Sequence, residues 1–440
     1  MGARRRCGRD AHRRPNPRFA AVLLPLALTL VAAACSSDTP ATTSTTRATT
    51  TTTVTTTTAP PTTTTTTIPA ALLAGSWVRL EHSEDLFGSD AYVIVRAVTT
   101  GGPGLVAVGE AGAAGEWDAA AWNSTDGSTW LRIPRDESAL GGDQIQVMWS
   151  VASNGSHVAA VGWQGPLGEA DAVAWLSMEG TLWNRLPDDP NVFGGPDDQI
   201  MRSVASAGHS FIAVGWDGPT GATSAAVWTS ESGWIWSRIA NTDEVFGDFD
   251  DQGMYAVTAG GPGFVAVGWD GSNGDLDAAV WTSPDGSDWT RVEHDEGIFG
   301  GADDQGMYAV TAGGPGLVAV GWEGPSDNTN AAVWTSVDGL TWARVGRDED
   351  TFGGAGSQAM YAVTAGGPGL VAVGDEQIEG GSDAVVWVST DGTSWARLPA
   401  DEGPFAGDGN QSMYGVVSTG SGLIAVGNDG GDGAIWYWMP

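Results

Sequence analysis

Residue types able to bind or react recur along this chain at one interval, and the interval frames what they can do. Trp163, Trp216, Trp269 and Trp322 stand 53 residues apart, with Glu110, Asp375 and Asn428 at the same station elsewhere. Tryptophan beside acids and amides suits stacking on a sugar or contact with an organic cation. A glutamine recurs at Gln146, Gln199, Gln252, Gln305, Gln358 and Gln411, and is expected to ring the mouth of a central channel. A third column reads Arg96, Trp149, Arg202, Tyr255, Tyr308, Tyr361 and Tyr414. The symmetry breaks at Arg96, Trp149 and Arg202, so a single ligand is expected there.

Carboxylates offer two further chemistries. Asp250-Asp251 and Asp303-Asp304 each precede one of the glutamines, and oxygen ligands of this kind suit Ca²⁺. No copy spells an EF-hand loop. Two acids can also cleave a glycosidic bond, but acids this numerous single out no pair. His82, His157, His209 and His294 show no common spacing, which leaves a metal or Ser-His site unsupported. No catalytic residue is assigned.

These columns are carried by one unit written seven times. Gly109, Gly162, Gly215, Gly268, Gly321, Gly374 and Gly427 recur at the same interval, as do Trp77, Trp130, Trp183, Trp236, Trp289, Trp342 and Trp395, each followed two residues later by Arg. Each unit reads as four short strands, A to D, rich in β-branched and aromatic residues and separated by Gly, Pro and Asp. Helical periodicity of useful length is missing. Four strands repeated radially give an all-β, seven-bladed β-propeller. The C-terminus supplies strands A, B and C of the last blade, so Ser76–Leu80 is expected to close it as the fourth strand. The Trp-x-Arg arginines are expected to form ion pairs or hydrogen bonds between blades.

The C–D hairpins carry a resemblance. Ser124-Thr125-Asp126-Gly127 to Trp130, Ser283-Pro284-Asp285-Gly286 to Trp289, Ser336-Val337-Asp338-Gly339 to Trp342 and Ser389-Thr390-Asp391-Gly392 to Trp395 resemble the Asp-box (BNR) repeat of sialidase-like propellers. Glu179 and Ser232 replace the Asp in two copies. The resemblance covers residues 76–440 and implies a fold, since such boxes are structural. Sialidases would also use an arginine triad, a tyrosine with an acidic partner and an acid–base Asp; that set is not found here.

Charge is distributed unevenly. Of 440 residues, 53 are acidic and 19 basic, the net charge is -34, and no Lys occurs. Nucleic acid is excluded as a partner, because nothing neutralises phosphate. Within the repeats, 44 of 51 acids fall in the D–A and B–C loops of one face, and none in the A–B turns. Such a face should attract cations or basic partners.

Residues 1–34 read as a lipoprotein-type signal peptide: arginines precede an apolar run, Phe19–Ala34, that ends at Cys35. Cys35 is the expected lipidation site and membrane anchor. Residues 35–71, rich in Thr and Pro, read as a disordered stalk with a reach on the order of 100 Å. The propeller would occupy 72–440. Together these features describe an exported, lipid-anchored, monomeric propeller on the outer side of a bacterial membrane. Its expected role is a non-catalytic binding or scaffold module for a surface glycan, a protein or a cationic partner. The alternative is a secreted sialidase-like or other carbohydrate-active enzyme.

Overall fold

The computed structural model describes residues 75–440, except 89–91, 114, 248–250, 272–274, 355, 368, 400–402 and 408. The signal segment, Cys35 and the stalk lie outside the described residues, and so does Asp250. Among the described residues, no helix is long and apolar enough to cross a membrane.

Seven sheets of four antiparallel strands form the ring, each with strands A to D in sequence order. Blade 4 shows the plan: A is Gln252–Gly260, B is Gly263–Asp270, C is Asp277–Ser283 and D is Thr290–Arg291. Blades 1, 2, 3, 5 and 6 span 92–132, 146–185, 199–238, 305–344 and 358–397. Blade 7 takes A, B and C from 411–439 and its outer strand from Ser76–Arg79, which pairs antiparallel with the last strand, Trp77 opposite Trp438. The expected closure is therefore present. Three single-turn helices, which the sequence pattern did not suggest, lie in D–A loops at Glu84–Phe87, Asp243–Phe246 and Glu349–Phe352. One turn is too short to leave a periodic signature.

The apolar runs of strand B follow from where the core sits. Val265 and Val267 belong to the cluster shared with blade 5, whereas Phe264 and Ala266 belong to the one shared with blade 3. Both faces of each sheet are buried against a neighbour, so the run is continuous rather than alternating. Blades 7 and 1 join in the same way, Ile424, Val426 and Ile435 packing with Val93, Val95 and Trp122.

A second set of tryptophans staples the loops. Trp281 is fully buried in strand C, and its Nε1–H donates to the Val245 carbonyl at 2.7 Å in the loop arriving from blade 3. Trp122, Trp175, Trp228, Trp334, Trp387 and Trp436 make the equivalent bond. The Trp-x-Arg arginines act within a blade as well as between blades. Arg291 pairs with Asp270 of its own blade, while Arg132 donates from Nη1 to the Phe87 carbonyl of the incoming loop at 2.7 Å. In the hairpins, Asp126 Oδ1 accepts from the Ser128 and Thr129 amides at 2.8 and 2.7 Å, and Trp130 Nε1–H donates to Gly127 O at 2.9 Å. The copies at Asp285, Asp338 and Asp391 do the same.

Candidate ligand site

Every strand A carries a register shift at one residue, and that residue builds the centre of the molecule. In blade 4 the shift falls between Met254 and Ala256, so Tyr255 is left without a partner on strand B. The glycine column explains how the bulge is accommodated. A Cβ on Gly268 would collide with the Gly253 carbonyl, so strand A can close onto strand B only over glycine.

The seven bulge residues touch in a closed ring. Tyr255–Tyr308, Tyr308–Tyr361 and Tyr361–Tyr414 have centroids 4.9, 5.4 and 5.5 Å apart. The Arg96 guanidinium lies 5.3 Å from the Tyr414 ring and 4.2 Å from Trp149. Arg202 covers the other side of Trp149 at 3.7 Å and reaches Tyr255 at 5.7 Å. Trp149 is thus held between two cations, a strong arrangement where water is excluded. The sequence-expected break at Arg96, Trp149 and Arg202 is one continuous stretch of this ring.

Charge at the ring is handled unequally. Glu110, buried on strand B, receives Arg96 Nε at 3.0 Å on both carboxylate oxygens and a further bond from Nη2. Burial pushes the Glu110 carboxyl up, and Arg96 offsets part of this; burial opposes the Arg96 charge, which Glu110 more than restores. Across the ring, Asp375 accepts from Ser412 Oγ at 2.6 Å and from Tyr361 Oη at 3.2 Å.

Asp375 has no cationic partner among the described residues. Burial raises its pKa, and the two hydroxyls lower it only in part. A carboxyl with a raised native pKa stabilises the fold below its unfolded pKa of about 3.9, and that contribution is lost as pH rises through the native value. Asp375→Asn is therefore expected to gain melting temperature over wild type by a few degrees at pH 8, with the gap closing toward pH 4. Melting curves between these values check this. A gap that stays constant would show that the carboxylate is not destabilised by burial.

Above the ring, on the side of the B–C and D–A loops, a cleft of about 620 Å³ spans blades 1 to 5. Trp163, Trp216, Trp269 and Trp322 all line it, together with Arg96, Glu110, Trp117, Trp149 and Tyr255. Trp216 and Trp269 meet edge to face at 5.2 Å, and Trp269 lies 4.4 Å from Tyr255. A Cβ on Gly253 would strike the Trp269 ring, so glycine there lets the indole lie down on strand A. Polar groups enter from the loops: Asp198, Asp251, Thr220 and Thr223. Trp117, at the start of strand C in blade 1, and Leu167, Leu276 and the two threonines of the B–C loops fall outside the repeated columns, so the sequence pattern does not single them out. Arg202 is placed differently from Arg96 and Trp149. It lines the channel beneath the ring instead of the cleft.

The glutamine column needs correction. Neither Gln252 nor Gln305 lines the cleft, and both are buried. Gln252 Oε1 accepts from Arg291 Nη1 at 3.1 Å, Gln305 donates to the Asp303 carbonyl, and Gln199 donates to Asp217 Oδ1 at 3.0 Å. These amides stitch strand A to its own blade and loop. The ring role falls instead to the bulge residue three positions on.

The acidic pairs are likewise put to local use. Asp304 Oδ1 accepts from the Leu276 amide at 3.0 Å and Asp251 Oδ1 from Thr223 Oγ1 at 3.1 Å. Asp251, Asp303 and Asp304 do not converge into a ligand cluster among the described residues. Asp277, His294 and Glu296 do converge there. Blade 1 has Arg135 at the His294 station, 2.8 Å from Asp118 and 3.1 Å from Glu137, so the cluster is an ion-pair station with histidine in place of arginine. His82 occupies the station too, 3.7 Å from Asp432. Two of the histidines thus share the repeat spacing, contrary to the sequence expectation.

No family model matches this chain, and no curated protein matches it. Among solved structures, Trypanosoma rangeli sialidase in complex with sialic acid matches at 13% identity with a TM-score of 0.41, covering 83% of this chain and 57% of that one. The chain therefore spans little more than half the length of that sialidase. Sqt1 from Chaetomium thermophilum matches at 12% identity with a TM-score of 0.43, covering 82% of this chain and 100% of that chain. A member of the GH130 family of mannoside phosphorylases matches at 12% identity with a TM-score of 0.33, over 54% of this chain and 83% of that chain.

Proposed function

We propose that this propeller is a binding module, displayed outside the cell, whose cleft takes a carbohydrate against its tryptophans. The observation that supports this is the cleft itself. Five of the seven blades contribute to it, and its walls are indole faces with a few acids and hydroxyls at the rim. Sugars offer apolar C–H faces to such rings and hydroxyls to such acceptors. An organic cation would use the same rings with Asp198 and Asp251. Localisation rests on Cys35, and the stalk would carry the cleft clear of the membrane.

The test is a glycan array probed with the protein, followed by titration of the best ligand. Trp216→Ala is expected to weaken binding at least tenfold, about 1.4 kcal/mol. An array without retained glycans, alongside binding of quaternary ammonium compounds, would favour the cationic ligand. Failure of both would refute the cleft as a binding site.

A glycosidase reading has one supporting observation. Glu110 lines the cleft with a carboxyl raised by burial, and Asp198 and Asp251 line the same cleft. A pair of carboxyls flanking the scissile bond is what acid-assisted glycoside cleavage needs. Turnover of a bound glycan, lost in Glu110→Gln, would establish it.

A further inference from the structure

Arg202 is the one ring member whose charge the cleft does not explain. Its guanidinium lies over Trp149 and near Tyr255, but it makes no hydrogen bond or ion pair with any described residue. Arg96 occupies both oxygens of the nearest ring carboxylate, Glu110. Burial, with Arg96 as the next cause, pulls the Arg202 pKa down to about 10, so it stays charged at neutral pH without a counter-ion. Arg202 is half-buried, and a charge held out of water to that degree costs stability unless something pairs with it.

The channel beneath the ring supplies the space and the other donors. It has a volume of about 380 Å³ and is lined by all seven strands A. The residue that follows the ring residue is Ala97, Ala256, Ala309, Ala362 or Gly415 in five blades, but Ser150 and Ser203 in blades 2 and 3. Both serines line the channel with Arg202. Ser150 Oγ accepts from the Val204 amide at 3.1 Å and Ser203 Oγ from the Val257 amide at 3.3 Å. Each oxygen is fixed by its neighbouring blade, while its own O–H has no acceptor among the described residues. Blades 2 and 3 therefore bring three donors without an acceptor to the wall of a channel that the ring aromatics, Arg96, two threonines and small apolar residues complete. The A–B turns that rim the channel at this end contain no acid, and the acids on this side sit farther out, in the C–D hairpins.

We propose that the channel binds a small oxyanion, a phosphate or a carboxylate, through the Arg202 guanidinium and the hydroxyls of Ser150 and Ser203. This site is separate from the tryptophan cleft and does not depend on the role assigned to that cleft. A planar guanidinium fits two oxygens of either anion, and a hydroxyl on each side completes the set.

The experiment uses the whole protein in buffer free of oxyanions, titrated with inorganic phosphate, with acetate and with sodium chloride at matched ionic strength. Melting temperature and calorimetry are read. Phosphate or acetate is expected to raise the melting temperature by several degrees and to bind saturably, and chloride is not; the stronger of the two tells which anion class the channel prefers. Arg202→Gln is expected to melt higher than wild type without anion and to lose the anion-induced gain. Ser150→Ala combined with Ser203→Ala is expected to weaken binding tenfold or more and to keep the fold, because four blades already carry alanine there. Trp216→Ala should leave anion binding unchanged. The proposal is overturned if neither anion exceeds chloride, if the double serine variant binds like wild type, or if Arg202→Gln melts lower than wild type in anion-free buffer.

Discussion

Trp281→Ala is expected to destabilise the protein by about 3–5 kcal/mol, the range for deleting a large buried aromatic. The melting temperature should fall by roughly 5 °C for a domain of this size. Two causes act together. The indole is fully buried between blades 3 and 4, packed with Met254, Val257 and Phe246, and its removal leaves a void that β-strands fixed on both sides cannot fill. Its N–H also satisfies the Val245 carbonyl, which would be left without a partner. Trp281→Phe separates the two, since it keeps most of the packing and loses only the hydrogen bond, for about 1–2 kcal/mol. Chemical denaturation of both variants checks the difference. If phenylalanine proves as costly as alanine, the loop hydrogen bond outweighs the packing. If both are neutral, the blade interface is looser than its burial implies.

Deleting residues 76–79 is expected to do comparable damage through the ring as a whole. That strand carries the fourth ladder of blade 7, in register from Ser76 opposite Met439 to Arg79 opposite Trp436. Trp77 packs against the cluster of blades 6 and 7 and meets Phe405 edge to face at 6.0 Å, while Arg79 pairs with Asp429 at 2.6 Å. Trp77 is half-buried, so loss of its indole contact is worth about 1–2 kcal/mol, and the deletion also exposes a row of backbone donors and acceptors along the last strand. Removal of residues 36–70 serves as the control and is expected to leave the melting temperature within about 2 °C, because that stretch has little to bury. Light scattering after mild heating should show the clasp deletion self-associating through the freed edge. Equal melting temperatures for the two truncations would refute closure by the first strand.

The expected effects differ in kind because the two structural levels differ in origin. The ring of blades was legible in the sequence, since a repeat interval is a property of the chain alone. Identical units at one interval must make identical contacts, and the split of one unit between the two ends already implied a closing strand. The Trp163 to Trp322 column was legible for the same reason, as was the break at Arg96, Trp149 and Arg202. One column was misplaced. Gln252 and Tyr255 sit three positions apart on one strand, and simple alternation cannot tell which of them reaches the axis. The bulge decides it. By leaving Tyr255 unpaired it turns that side chain to the channel and keeps Gln252 against Arg291.

Pairing of charges lay further from reach. The sequence lists Arg96 and Arg202 as equivalents, and only the packed structure makes one a partner of Glu110 and leaves the other without a carboxylate. The reason is geometric. Glu110 stands on strand B in blade 1, where the next four blades have tryptophan, so a single ring arginine has a carboxylate within reach. The acids were legible as a face but not as partners, because a carboxylate's role depends on which amide or guanidinium the neighbouring loop brings to it. What the sequence determined by itself was the repeating unit, its closure and the columns. Only the tertiary structure decided which side chains face the axis, since that depends on one unpaired residue per blade, and which charges are left open to a ligand, since that depends on distances between blades that no spacing encodes.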